Sequence, residues 1–241
     1  MTTSISNLVT PLQRKTMSLE VHKQLRTLLI GGRMMPGEQI SLRSTAEALG
    51  VSVMPVREAV QRLVAEQALE LAPNRTLRVP TMSADQFREI TRIRINLEGL
   101  AAATAALRLT PQGIEKIEDA NADFSREIAK AKPDGPRLIR FNMEFHFGVY
   151  QGAEMPMLLR MIEDLWSRIG PILNYDLQRG SRRLQEREPV DHHDRLLAAI
   201  KQRDAAAAAE ALRGDIQTAA DFIVATKLLP AADADAVANA A

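Results

Sequence analysis

Arg57 and Gln61 stand four residues apart in the stretch GVSVMPVREAVQRLVAEQAL, residues 50–69. A guanidinium and an amide on one face of a helix are the groups that read base edges and grip phosphates. Ser52 just before them is a good N-cap, and Pro55 falls in the first turn, where no intrahelical hydrogen bond is lost. Val56, Ala59, Val60 and Leu63 recur at helical spacing as one apolar stripe, with Arg57 and Gln61 off it. The spacing predicts a short helix that packs by one side and offers the other to a groove.

Such a helix needs a scaffold, and the flanking residues supply one. Leu19, Val21, Leu25, Leu28 and Leu29 predict an amphipathic helix ending at Gly31-Gly32, followed by a turn at Met35-Pro36-Gly37-Glu38. A second short helix, about 42–49, stops at Gly50, so two helices joined by a tight turn form a helix-turn-helix. Leu69-Glu70-Leu71 and Leu77-Arg78-Val79 alternate around Pro73-Asn74, which predicts a small hairpin. Three helices and a hairpin make a winged helix over residues 16–80. Its tip would carry Asn74 and Arg75, suited to a phosphate or a minor groove. Residues 1–15 lack a sustained period and read as a flexible arm.

Pro80 and Ser83 mark a boundary, and every later signal is helical. Phe87, Ile90, Ile93, Leu97, Leu100 and Ala101 form a long stripe reaching Leu109. Further helices are expected at about 111–132, 137–151, 155–179 (kinked at Pro171), 190–202 and 204–228. The charged segment RGSRRLQEREPV between them reads as a loop. The fold class is therefore mainly α: a winged helix-turn-helix, then an all-α antiparallel bundle of about six helices over residues 83–229. An Ala-rich flexible tail follows at 230–241.

Composition narrows the function classes. An apolar share of 46% supports a real core and excludes a disordered chain. The absence of cysteine removes disulfides, thiolate metal sites and thiol nucleophiles. No apolar run reaches the ~20 residues of a membrane span, and the N-terminus lacks a signal-peptide core, so a cytoplasmic protein is expected. Residues 1–80 carry ten Lys/Arg against six Asp/Glu, a balance of +4, which leaves −3 for the rest of a chain whose net charge is +1. A basic head on an acidic body points to a polyanionic partner for the head.

The first 80 residues resemble the GntR family of bacterial transcription regulators. The residues carrying this are Leu25-Arg26, Pro36-Gly37-Glu38, Leu49-Gly50-Val51-Ser52, Pro55-Val56-Arg57-Glu58-Ala59 and Arg62-Leu63. The helical remainder resembles the FCD ligand-binding domain of the FadR-type branch, through Arg94 and Leu97-Glu98, Phe145-His146, and His193 with Leu196-Leu197 and Ala199-Ile200. The resemblance implies a homodimer on a palindromic double-stranded operator, read by Arg43, by Ser52, Val53, Arg57 and Gln61, and by the wing tip. Val53 occupies a position that is usually Arg, and Met54 replaces a common Thr, so the operator should differ from that of typical relatives. A purely structural reading would instead pair Arg57 with Glu58 or Glu66.

The resemblance also implies a divalent metal (Zn, Ni or Mn) held by Asn142, His146, His193 and Asp215. Asn142 and His146 share a helix face, as a shared ion requires. The usual pattern is an Asp at the first position and a His at the last, so the carboxylate has moved across the site. Arg94 would clamp the carboxylate of an organic-acid or sugar-acid effector against the metal, unless it merely pairs with Glu98. Repression by an effector-controlled regulator is the resulting expectation. One alternative is a helical domain that only dimerises, with histidines that merely line a cavity. The other is a metal-dependent enzyme, against which stands the lack of Glu-x-x-His, Ser-His and thiol constellations.

Overall fold

The structure is a computed structural model that describes residues 16–72, 76–179, 182–226 and 229. The expected arm, wing tip and tail lie outside them. Residues 16–72 with 76–82 form a head. Its first helix, α1 (Thr16–Ile30), buries Val21, Leu25 and Leu29, three positions on one face. Strand β1 (Gln39–Ile40) follows, then α2 (Leu42–Leu49), whose N-cap Ser41 accepts from the Ser44 backbone N–H. Gly50 ends α2 at φ +65°, a left-handed conformation that glycine adopts without Cβ strain. The chain can thereby turn straight into α3 (Val53–Ala65), which buries Val56, Ala59, Val60 and Leu63. These are the residues of the stripe read from the sequence.

Strands β2 (Glu70–Leu71) and β3 (Leu77–Arg78) pair antiparallel, with Leu71 opposite Leu77. The expected hairpin is thus present, but the sheet has a third strand. β1 pairs on the other side of β3, Gln39 opposite Arg78 and Ile40 opposite Leu77, giving the order β1-β3-β2. Two residues are too few to show alternation, so this strand carried no periodic signal.

The bundle begins with α4 (Ala84–Arg108), started by a capping box between Ser83 and Gln86. α5 (Pro111–Ile128) opens on Thr110, which accepts from Gly113 N–H, with Pro111 in its first turn. Then come α6 (Gly135–Gly152), α7 (Pro156–Arg179) with Pro171 inside it, α8 (Arg182–Gln185), α9 (Glu188–Lys201) and α10 (Ala205–Ala225). The charged segment expected as a loop is corrected here: it contains α8 and the first turn of α9. Arg183 and Leu184 are buried, and Arg183 Nε lies 2.9 Å from Glu188 Oε2. A local ion pair and the burial of Arg183 and Leu184, rather than periodicity, order this stretch.

Head and bundle meet where α1 lies against α7. Arg26 of α1 forms ion pairs with Glu163, at 3.8 Å, and with Asp164; Arg168 Nε donates to the Glu66 carbonyl at 3.0 Å. At Gly170 a Cβ would stand 2.4 Å from the Leu29 carbonyl oxygen and 2.6 Å from that of Ile30, both backbone atoms. Gly170→Ala is therefore expected to push α1 off α7 and cost roughly 2–3 kcal/mol. Chemical denaturation would show this as an earlier transition, and an unchanged midpoint would mean the contact is looser than it stands.

Candidate functional site

On the head, α2 and α3 leave one face bare. Arg43, Ser52, Arg57 and Gln61 are exposed, and Val53 and Met54 show their apolar side chains to solvent beside them. Ser52 is the N-cap of α3, but its hydroxyl makes no capping hydrogen bond, so it is free for another acceptor or donor. Neither Arg43 nor Arg57 forms an ion pair among the described residues, and Glu66 is bonded to His22 at 3.0 Å. The reading of Arg57 as a structural salt bridge to Glu58 or Glu66 is thus absent from the structure. Asn74 and Arg75 lie outside the described residues.

In the bundle, three helices deliver His146 (α6), His193 (α9) and Asp215 (α10) to one point, with one ligand atom from each lying within 4.8 Å of the others. His146 and His193 are buried and set edge to face, ring centroids 5.0 Å apart. Phe145 stacks on His193 at 3.9 Å and holds its plane. Asn142, one turn before His146, is half-buried and lines the same cavity of about 50 Å³, together with Arg94, Trp166, Arg183 and Asp215. All four residues expected to form a metal set, and Arg94, are therefore brought together.

The surrounding hydrogen bonds fix the tautomers. Asn121 Nδ2 donates to Asp194 Oδ1 at 2.7 Å, so Asn121 Oδ1 is the atom 3.1 Å from His193 Nδ1. His193 therefore carries its proton on Nδ1 and a lone pair on Nε2, which is buried and has no hydrogen-bond partner. Burial, with His146 beside it, pushes His193 down to about 3, so it is neutral at neutral pH. On the other side Tyr150 donates its hydroxyl proton to Glu98, and burial followed by the Glu98 charge keeps that hydroxyl protonated. The 3.3 Å contact between Tyr150 Oη and His146 Nδ1 then uses an Nδ1 proton, and His146 Nε2 lies 3.3 Å from Asp215 Oδ2.

At this separation a proton or a metal ion bridges the ring nitrogen and the carboxylate. Burial works against the charge of Asp215, but the hydrogen bond from His146 and the positive charges around it outweigh this and hold it far below the usual carboxylate range. Ligand atoms on a four-coordinate ion at ~2.1 Å stand roughly 3.4 Å apart, close to the His146–Asp215 separation. The orphaned His193 Nε2 points to the same need. These residues fit a borderline cation that takes imidazole and oxygen ligands.

Two arginines complete the walls. Arg94 makes a buried two-pronged contact with Glu98, Nε to Oε1 at 2.6 Å and Nη2 to Oε2 at 3.3 Å, and its guanidinium sits 5.1 Å from the Trp166 ring. Arg94 thus both pairs with Glu98 and lines the cavity, so the two readings of it are compatible. Arg183 was missed because its segment read as a loop. Asn121 and Tyr150 were missed as well, since a polar residue inside a helical stripe is the only sequence signal they offer. His192, next to His193, is buried with Nε2 3.3 Å from Thr218 Oγ1. Among nearby apolar residues, Trp166 reaches the lining, whereas Met143 and Phe147 line a separate groove and Met161 is exposed.

Comparison with known proteins agrees with this layout. Residues 17–79 match the family described as bacterial regulatory proteins, gntR family, and residues 89–218 match the FCD domain. The HTH-type transcriptional regulator McbR of Escherichia coli is 37% identical over 189 residues, covering 78% of this chain and 84% of the relative. The HTH-type transcriptional repressor GlaR of Escherichia coli is 29% identical over 209 residues, covering 83% and 93%. The solved structure of E. coli McbR/YncC superposes with a TM-score of 0.80 at 33% identity, over 88% of this chain and 99% of that one. No described helix is long and apolar enough to cross a membrane. With a reading head, a helical domain and relatives named as regulators throughout their matched length, this chain is a regulator rather than an enzyme and belongs to the GntR family, in the branch that carries an FCD domain.

Proposed function

We propose that the protein is a homodimeric, cytoplasmic repressor whose hold on a palindromic operator is set by a small organic acid bound in the bundle over a divalent metal. The observation carrying this is the convergence of His146, the unpartnered His193 Nε2 and an ionised Asp215 on one point of a cavity walled by Arg94 and Arg183. His146, His193 and Asp215 would hold the ion, with Asn142 as a neutral oxygen donor. When bound, the ion is a Lewis-acid anchor for one carboxylate oxygen. The chain's own part is to offer a guanidinium for the other oxygen and to exclude water behind Trp166.

The cavity's 50 Å³ holds an ion and a water or two, not an organic acid. Binding therefore requires α7, α9 or α10 to give way, and a ligand that fits only the rearranged form shifts the population toward it. Because α7 also bears the contacts to α1, the rearrangement reaches the head. On the DNA side, residues 16–80 form the reading unit. Arg43, Ser52 and the tip residues Asn74 and Arg75 would take phosphates or a minor groove, and Arg57 and Gln61 base edges. Val53 and Met54 offer methyl groups and no donor, which suits a thymine methyl where relatives read with Arg.

Thermal stability against a panel of carboxylic acids, with and without chelator, tests this reading. The expected result is a shift by one class of acid that disappears with EDTA. A chain that purifies without metal, and whose stability no metal or acid changes, would leave the helical domain a dimerisation module only.

A further inference from the structure

Trp166 of α7 lines the cavity, is 2% exposed, and carries a donor left unmet: its buried Nε1 has no hydrogen-bond partner among the described residues. An indole N–H can only donate, and a dry, unpaired donor is costly, so such a group calls for an acceptor. The carboxylates of the cavity wall are already engaged. Glu98 receives Arg94 Nε at 2.6 Å and the Tyr150 hydroxyl, and Asp215 faces His146. Arg94 lies over the ring face of Trp166, where it meets π electrons and accepts nothing. Arg183 in the same wall is likewise a donor, and Leu173, Pro189 and Ile216 bring only apolar side chains.

The neighbours of Trp166 on α7 hold the head. Asp164, two residues before it, pairs with Arg26, and Arg168, two after, donates to the Glu66 carbonyl. Residues two apart on a helix point about 200° apart, so Trp166 meets the cavity while those two meet the head. A ligand that draws on the indole therefore acts on the helix that seats the reading domain.

We infer that the Trp166 indole N–H reads the effector, donating to an acceptor oxygen beside the carboxylate, so that the cavity takes an oxo acid and refuses the amino acid of the same skeleton. This rests on the reading of the cavity as a metal-anchored acid site. One carboxylate oxygen goes to the ion and the other to Arg94, which leaves the N–H for a third oxygen. An ammonium in that place would meet a donor and two guanidiniums and find no acceptor, and a site built to satisfy a buried donor rejects the analogue that cannot.

Trp166 is the chain's one tryptophan, so isotopic labelling of tryptophan nitrogen gives a single indole N–H resonance in the full chain supplied with zinc. Pyruvate and alanine are the probes, alike in skeleton and differing in an oxo group against an ammonium. Pyruvate should move the indole proton downfield and raise thermal stability, and alanine should do neither. Trp166→Phe keeps an aromatic ring beneath Arg94 and removes the donor. It should hold as much zinc as wild type and bind pyruvate about tenfold more weakly. The resonance is read in wild type, so the outcome is decided even where the variant folds poorly. The inference is overturned, with the acid site left standing, if pyruvate stabilises the protein but leaves the resonance in place, as a trapped water on the N–H would. Equal pyruvate affinity in Trp166→Phe, an equal response to alanine, or a response to other acids but not to pyruvate overturns it in the same way. A protein that neither pyruvate nor any other carboxylic acid stabilises overturns the acid site itself, and this inference with it.

Discussion

Arg57→Ala is expected to cut operator affinity by roughly 30-fold to more than 10,000-fold while leaving folding unchanged. A good two-pronged base contact is worth ~1–3 kcal/mol of discrimination, and a dimer on a palindrome loses it twice. The protein itself has nothing to lose, because the side chain is exposed and forms no ion pair among the described residues. Arg43→Ala should behave differently if it grips a phosphate. Its loss would weaken binding about equally on every sequence and lower the slope of log affinity against log salt by about one for each head. Fluorescence anisotropy on the operator and on a scrambled duplex at several salt concentrations separates the two. Unchanged operator affinity in Arg57→Ala would remove α3 from the interface.

The second large effect is expected at His193. Its Nε2 is the buried lone pair without a partner, and its neutral state at neutral pH leaves it ready to ligate without releasing a proton. Metal at one hundred times its dissociation constant stabilises the folded chain by about 2.7 kcal/mol. In His193→Ala that increment should vanish along with its sensitivity to chelator, and metal content should fall from near one per chain to a trace. Truncation also opens a void against Phe145 and Phe124, so the metal-free variant will be less stable than metal-free wild type. The comparison that decides is therefore the difference made by metal within each protein. Operator binding without effector should survive. A His193→Ala protein that retains stoichiometric metal would exclude the site.

Much of the head was legible because its signals are local. Gly50 and Ser52 mark the end of one helix and the start of the next, and the Val56, Ala59, Val60 and Leu63 stripe faces inward as its spacing requires. The long bundle helices announce themselves in the same way, through the Ser83–Gln86 box and Thr110-Pro111. β1 and α8 were not legible. A two-residue strand forms only because β3, 37 residues on, pairs with it, and a one-turn helix only because Arg183 and Leu184 are buried by the rest of the bundle.

The same division runs through the candidate site. The sequence by itself placed Asn142 and His146 on one helix face, because a helix repeats every 3.6 residues whatever surrounds it, and it marked His193, Asp215 and Arg94 through their register with a known family. The tertiary structure decided their chemical state. Asn121, 72 residues from His193, sets which nitrogen of that ring is bare; Tyr150, held by Glu98 52 residues away, orients the His146 ring through its Nδ1. Protonation depends on burial and on partners at hydrogen-bond distance, and those are properties of packing that no local spacing in the chain encodes.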